Sequence, residues 1–327
     1  MPYNGAMSHP QIIIPFSLPP AEHGKDLVRL LASECGPNGL AMLLSRARRS
    51  SREHCDDFAL ALPHEAWLSK RHNPLRTLIS QLKLTLPDGY WFIVNPVNLH
   101  IASTHLVLTD NRGLDLTEAE ARALFDRARD LCSEVNVQLI YGDADHWLLG
   151  ADAWSELVTA TPDAACGHNI EIWSPKGPEA LAWRKLQNEI QMDWFIHPVQ
   201  EQRQMRAAKV INGLWLWGGT RIQSDQAPTD AGAVSFNPDI AEFLADAKPA
   251  VLDQLIAPAL AGDWSAWAAS MQVLEQNWLI PLCDALRSGT PKQIELVLSN
   301  SNTLLSLQIS SGSLRRFWRR PSFNALL

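Results

Sequence analysis

Residues 197–221 read HPVQEQRQMRAAKVINGLWLWGGTR and concentrate side chains suited to holding an anion. His197 stands before Pro198, and Arg203 and Arg206 follow within about two helical turns. A guanidinium fork matches the paired oxygens of a carboxylate or phosphate, so these residues could bind such a group. They suit a plainer role equally well, with His197 capping a helix end and the arginines solvated. Further on, Leu214-Trp215-Leu216-Trp217 reads as an apolar strand that runs into Gly218-Gly219-Thr220-Arg221. Backbone N–H groups at a glycine turn can cradle an anion, with Arg221 beside them. A Walker loop would also need a lysine after its glycines, and no lysine is there. No G-x-G-x-x-G occurs either, so the expectation is a turn that ends the strand.

Other clusters invite metal chemistry. His100 and His105 lie five apart, which on a continuous strand puts them on opposite faces. Only a bend near Ala102-Ser103 would converge them. Asp143, Asp145 and His146 are ligand types for hard cations. Aspartates at a turn also bond their own backbone, and without a second acidic cluster that is the expectation. No G-x-S-x-G elbow and no cysteine nucleophile motif occurs. No metal site is expected. Residues 314–320, LRRFWRR, set Arg315, Arg316, Arg319 and Arg320 around Phe317 and Trp318. Such a run can meet nucleic acid or lipid, but a terminal helix docking its aromatics is the expectation.

The chain that must position these residues has 327 of them, enough for one large or two modest domains. Its apolar fraction of 46% suits a packed core and argues against disorder. Thirteen tryptophans stand against three tyrosines, which assigns indoles to core packing and pocket walls. The net charge of −7 gives no global attraction for nucleic acid or an anionic membrane. Five scattered cysteines, with no C-x-x-C pair, exclude a disulfide framework or zinc ribbon and suit reduced thiols in a cytoplasm. No signal peptide pattern and no membrane-length apolar run is present.

Periodicity predicts a mixed α/β fold: strands flanked by amphipathic helices, with a C-terminal β-hairpin. Residues 11–17, QIIIPFS, read as a buried strand. Helical patterns follow over 25–49, broken at 35–39, and over 64–84, broken at Asn73-Pro74. Residues 45–57 read as a polar surface connection. Residues 90–110 read as two strands, and 137–142 with 146–150 as a strand pair. Thr117 and Glu120 form a capping box that opens a helix with Leu124, Ala128 and Leu131 on one face. A second helix is predicted over 178–196, with Trp183, Leu186, Ile190 and Trp194 as its apolar stripe and Pro198 as its break. Residues 264–279 repeat such a stripe. Ile294, Leu296 and Leu298, then Leu305, Leu307 and Ile309, alternate about the turn SNSN. The expected division is 1–225 and 226–327, with the softest boundary in 221–232.

Residues 197–221 resemble a motif of the archaeal-type cofactor-independent phosphoglycerate mutases, approximately H-P-V-N-x-x-R, a spacer, then A-N-x-x-W-L-W-G-x-G-[RK]. His197, Pro198, Val199, Arg203, Asn212, Trp215, Leu216, Trp217, Gly218 and Arg221 match, whereas Gln200 replaces asparagine and Ile211 replaces alanine. In that family the motif closes a smaller domain inserted into a metal-dependent catalytic core with a nucleophilic serine and two clusters of aspartate and histidine. The opening IIIPFSLPP lacks the aspartate-glycine continuation of such a core, and no T-G-D-H-type segment follows residue 221. The resemblance thus covers 85–225 without the catalytic half. Through IIIPFSLPP, NPVNLHIASTHLVLTD, LQNEIQMDWFIHPV, INGLWLWGG and the closing RRFWRR, the whole chain also resembles a proteobacterial group labelled regulatory protein, RpfE type. Together these resemblances imply a non-catalytic regulatory or small-anion-binding protein. Its ligand residues would be His197, Arg203, Asn212, Trp217 and Arg221. The ligand would be a small phosphorylated or carboxylate compound, with no cofactor, and a protein partner is compatible with this. Neither nucleic acid nor membrane is an expected partner. One alternative is a mutase-like phosphotransferase, which alone would need a divalent metal. The other is an interaction module using a tryptophan-rich surface or the basic tail.

Overall fold

Two β-sheets, each with its own helices, organise the chain into two units. The computed structural model describes residues 9–34, 36, 39–56, 58–102, 104–223, 234–246 and 248–327. Most of the turn expected at 35–39 and of the boundary expected at 221–232 lies outside these residues. In chain order the strands are β1 (Gln11–Ile14), β2 (Arg49–His54), β3 (Gly89–Val97), β4 (Leu99–Ala102), β5 (His105–Leu108), β6 (Gln138–Tyr141), β7 (Trp147–Gly150), β8 (Gly213–Ile222), β9 (Ser235–Phe236), β10 (Ala250–Val251), β11 (Gln293–Ser299) and β12 (Thr303–Ser310).

The first unit comprises residues 1–57, 63–68 and 232–327. Its six-stranded sheet has the order β2-β12-β11-β1-β10-β9. β1 pairs in parallel with β10 and β11, so it is buried on both faces, and Ile12, Ile13 and Ile14 are wholly inaccessible. β11 and β12 form the expected hairpin, with Ile294 opposite Ile309, Leu296 opposite Leu307 and Leu298 opposite Leu305. β2 replaces the expected surface connection. All six of its residues are exposed, so RSSREH carries no apolar alternation, and pairing with β12 alone makes it a strand. Its charged residues also discourage further strands from adding at this edge. The helix expected over 264–279 is α-helical over Trp264–Leu274, loosens into a π turn at Glu275–Leu279 and continues as Ile280–Ser288. Within that turn the buried Glu275 carboxylate accepts the N–H groups of Gly39 at 2.6 Å and Leu40 at 3.0 Å. It thereby caps the helix Gly39–Arg46. A Cβ at Gly39 would lie 2.8 Å from the backbone of Leu279 and Ile280, so this approach requires glycine.

The second unit comprises residues 58–62 and 69–231. Its sheet, ordered β6-β7-β3-β8, is antiparallel throughout and covered on both faces. Phe92, Val94, Leu139, Trp147, Leu149, Leu214 and Leu216 pack with the helices Glu118–Glu134 and Ala180–Phe195. The alternate residues Trp91, Ile93, Leu148 and Trp217 pack with Leu75 and Leu78 of the helix Pro74–Leu82. Strand periodicity thus sorts one sequence into two cores. The Thr117–Glu120 capping box forms as read. The helix predicted from Pro178 begins at Ala180 and buries Trp183, Leu186, Ile190 and Trp194. Residues 90–110 make three strands rather than two, because β4 and β5 fold into a separate hairpin.

Ten of the thirteen tryptophans are buried; Trp217 and Trp264 are half-buried and Trp318 is exposed. The tryptophan-rich surface of the interaction reading therefore reduces to one residue. No helix among the described residues is long and apolar enough to cross a membrane.

Candidate functional site

The motif 197–221 folds as a helix, Pro198–Met205, a short connection and β8. His197 is the N-cap of that helix, with its Nδ1 accepting the Val199 N–H at 3.3 Å. Accepting that bond requires an unprotonated Nδ1. Burial holds the imidazole below its ordinary pKa, against the pull of Asp193, and Arg127 lowers it further. The cap and the depressed pKa therefore favour the same neutral ring.

Arg203 is fully buried, and its guanidinium has internal partners on every nitrogen. Nε donates to the Lys209 carbonyl at 2.7 Å, Nη1 to Glu120 at 2.8 Å and Nη2 to the Leu114 carbonyl. Arg206 donates to both Glu120 oxygens at 2.8 Å. The oxyanion these two arginines hold is thus the protein's own carboxylate. Burial alone would raise the Glu120 carboxyl. Hydrogen bonds from the Thr117 N–H and hydroxyl, with the charges of Arg203 and Arg206, hold it below the ordinary glutamate value. Sequence reading found Glu120 only as a capping residue. Its second role depends on a helix that follows 83 positions later.

Asn212 joins the start of β8 to β4. Its Oδ1 accepts the Leu99 N–H at 2.7 Å and its Nδ2 donates to the Leu99 carbonyl at 2.8 Å. Gln200, at the motif position where asparagine is usual, makes a matching pair with Ile211 at 2.6 and 3.0 Å. The Trp217 indole donates to Asn95 Oδ1 at 2.6 Å, and Asn95 Nδ2 donates to the Asp145 carbonyl at 2.7 Å. Arg221 is the most open of the five, with its side chain 54% exposed. It faces Asp152 at 3.3 Å and lies 5.9 Å from the centre of the Tyr90 ring.

His197 thus caps the start of the helix Pro198–Met205, Arg203 lies in its last turn, and Asn212 immediately precedes β8. Arg221 stands at the opposite end of that strand, about 30 Å from Asn212 at 3.3 Å per residue. The five do not converge on one small-molecule pocket.

The glycine pair is neither a cradle nor a strand-ending turn. β8 continues through it to Ile222, and the register shifts so that Gly218 and Gly219 together oppose Phe92. This is a β-bulge with Gly218 at φ +69°. A Cβ at Gly219 would lie 2.7 Å from Phe92 Cε1 and 2.9 Å from the Tyr90 ring. The bulge removes a side chain where those rings cross the strand.

The remaining candidates resolve locally. Asp143 accepts the N–H groups of Asp145 at 2.8 Å and His146 at 2.7 Å, which is turn chemistry. His100 and His105 share a face of the β4–β5 hairpin, since His105 pairs with Ala102. The bend expected at Ala102-Ser103 includes Ser103, outside the described residues. No group of three or more His, Cys, Asp or Glu that could hold a metal ion occurs among the described residues. After β1, Ser17 is buried and its hydroxyl donates to the Ile14 carbonyl at 2.6 Å. Burial pushes the thiols of Cys132, Cys166 and Cys283 up to about 12, which disfavours the nucleophilic thiolate.

No family model and no curated protein matches the chain. Among solved structures it resembles the PH0037 protein from Pyrococcus horikoshii. The two share 12% identity over 98% of this chain and 92% of that chain, with a TM-score of 0.52. A cofactor-independent phosphoglycerate mutase from Thermoplasma acidophilum matches over 98% of this chain and 94% of that chain, at 12% identity and a TM-score of 0.39. The likeness to PH0037 is one of fold, and it runs through both units rather than through 85–225 alone.

Proposed function

We propose that this chain is a non-catalytic regulatory or binding protein, on a fold related to cofactor-independent phosphoglycerate mutases. In this reading the mutase-like motif serves as scaffold, and a small phosphorylated or carboxylate ligand meets the protein at Arg221. The observation that carries the reading is that Arg203, Asn212 and Trp217 spend their polar groups on internal partners. His197 likewise caps its own helix. Arg221 alone of the five offers a largely exposed guanidinium, and its partner Asp152 is itself 67% exposed. An incoming anion can compete for such an exposed pair, because the pair itself contributes little. The reading needs no cofactor, and it suits a cytoplasmic protein with reduced thiols and a regulatory role through a protein partner.

Titration calorimetry with 3-phosphoglycerate tests it. Binding should weaken about 10- to 100-fold on Arg221→Ala, the worth of a hydrogen bond to a charged group. Absence of binding to any phosphorylated three-carbon acid removes the ligand assignment. Conversion of 3-phosphoglycerate by purified protein supplied with manganese, zinc or cobalt overturns the non-catalytic reading in favour of a metal-dependent phosphotransferase.

A further inference from the structure

We propose that the tip formed by residues 315–320, with the neighbouring arginines of residues 46–49, docks on an anionic lipid surface. Both ends of this segment are fixed in the first unit. Leu314 is 2% exposed at the end of the short helix Ser311–Leu314, and Phe323 and Leu326 are 6% and 2% exposed beyond the tip. Between these anchors the aromatics do not dock, contrary to the sequence expectation. The helix stops at Leu314, and Phe317 and Trp318 stand 82% and 67% exposed.

Hydrogen bonds join a second basic stretch to the tip. Arg319 donates to the Ser45 carbonyl at 3.3 Å, and Arg46 donates to the Leu314 carbonyl at 2.7 Å. Arg48 and Arg49 follow directly and are exposed. Among the described residues, none of Arg46, Arg48, Arg49, Arg315, Arg316, Arg319 and Arg320 forms an ion pair with a carboxylate. On a chain of net charge −7 this is a local positive field, with two large rings at its crest.

Charge complementarity requires an anionic partner, and the ring geometry selects its class. Phe317 and Trp318 meet edge to face, with centroids 5.3 Å apart and planes at 82°. Perpendicular rings offer no parallel platforms for successive bases, and single-stranded nucleic acid binds along a groove lined with such platforms. A pair of protruding rings between arginines matches the water–hydrocarbon boundary, where aromatics bury and guanidinium groups meet lipid phosphates. The attraction is local and should weaken with salt, because screening shortens its reach.

Co-sedimentation of the full chain with vesicles tests the proposal. One set is pure phosphatidylcholine and the other carries about a third phosphatidylglycerol, each at low salt and at about 0.5 M salt. Sedimentation is expected with the anionic vesicles at low salt and should fall at high salt. Phe317→Ala/Trp318→Ala and Arg315→Glu/Arg316→Glu/Arg320→Glu should each weaken it about tenfold or more. The altered side chains are exposed except for the half-buried Arg316, and unchanged thermal unfolding of both variants checks that the fold survives. Failure to bind anionic vesicles overturns the proposal, as does binding that survives either variant. Tip-dependent capture of a labelled single-stranded oligonucleotide without vesicle binding also overturns it, and assigns the tip to nucleic acid instead.

Discussion

Arg203 shows how residue type and residue role come apart. A fork arginine near a histidine suggests a ligand site, and its chemistry is indeed oxyanion recognition, but the oxyanion is Glu120. A buried ion pair adds little net stability over an apolar pair, yet removing one partner strands the other. Arg203→Met should therefore cost about 3–5 kcal/mol in urea unfolding, towards the lower end because Arg206 still reaches Glu120. Arg203→Lys should rescue little, since one ammonium cannot reach Glu120 and the carbonyls of Leu114 and Lys209 together. Acid should expose the same contact. The folded Glu120 carboxyl ionises at lower pH than the unfolded one. Its stabilisation is thus complete above the unfolded value of about 4.3, and it is lost as pH falls through the folded value. Unfolding midpoints followed down an acid series should fall less steeply in Glu120→Gln.

At the scale of elements, β8 owes its course to the two glycines. The sequence showed an apolar strand meeting Gly218-Gly219, and a turn was the local expectation. The strand continues instead, because β3 supplies a pairing partner and the bulge absorbs one extra residue. Gly219→Val would press a branched side chain onto Phe92 and Tyr90. It should cost about 1–3 kcal/mol, read as a lower thermal midpoint. Gly218→Ala should cost about 1–2 kcal/mol by a different route, the strain of a side chain at positive φ. Elements with local signatures were legible beforehand. The Thr117–Glu120 box and the stripe Trp183, Leu186, Ile190 and Trp194 lie within single helices, so sequence spacing alone defines them. β2 was not legible, because none of its six residues faces a core.

At the scale of the molecule, each unit has its own sheet and its own buried cluster. Residues 58–231 contain the whole second unit, with 63–68 as the only segment from the first. Expressed alone, they should unfold cooperatively in circular dichroism, as expected for a domain-sized core. A non-cooperative melt would show that this core needs the rest of the chain. The sequence by itself determined the α/β class, the C-terminal hairpin, the helix start at Thr117, the break at Asn73-Pro74, and the apolar faces. Each depends on residues within a few turns or strand positions of one another, where propensity and periodicity act directly. Only the tertiary structure decided which carboxylate meets Arg203, that the glycine pair is a bulge, that β2 is a strand, and that Phe317 and Trp318 stand in solvent. Those outcomes depend on partners 83 positions away for Arg203 and 249 for the β2 residue His54, whose ring meets Thr303. No local pattern encodes such partners, because chain entropy and packing over the whole unit select them.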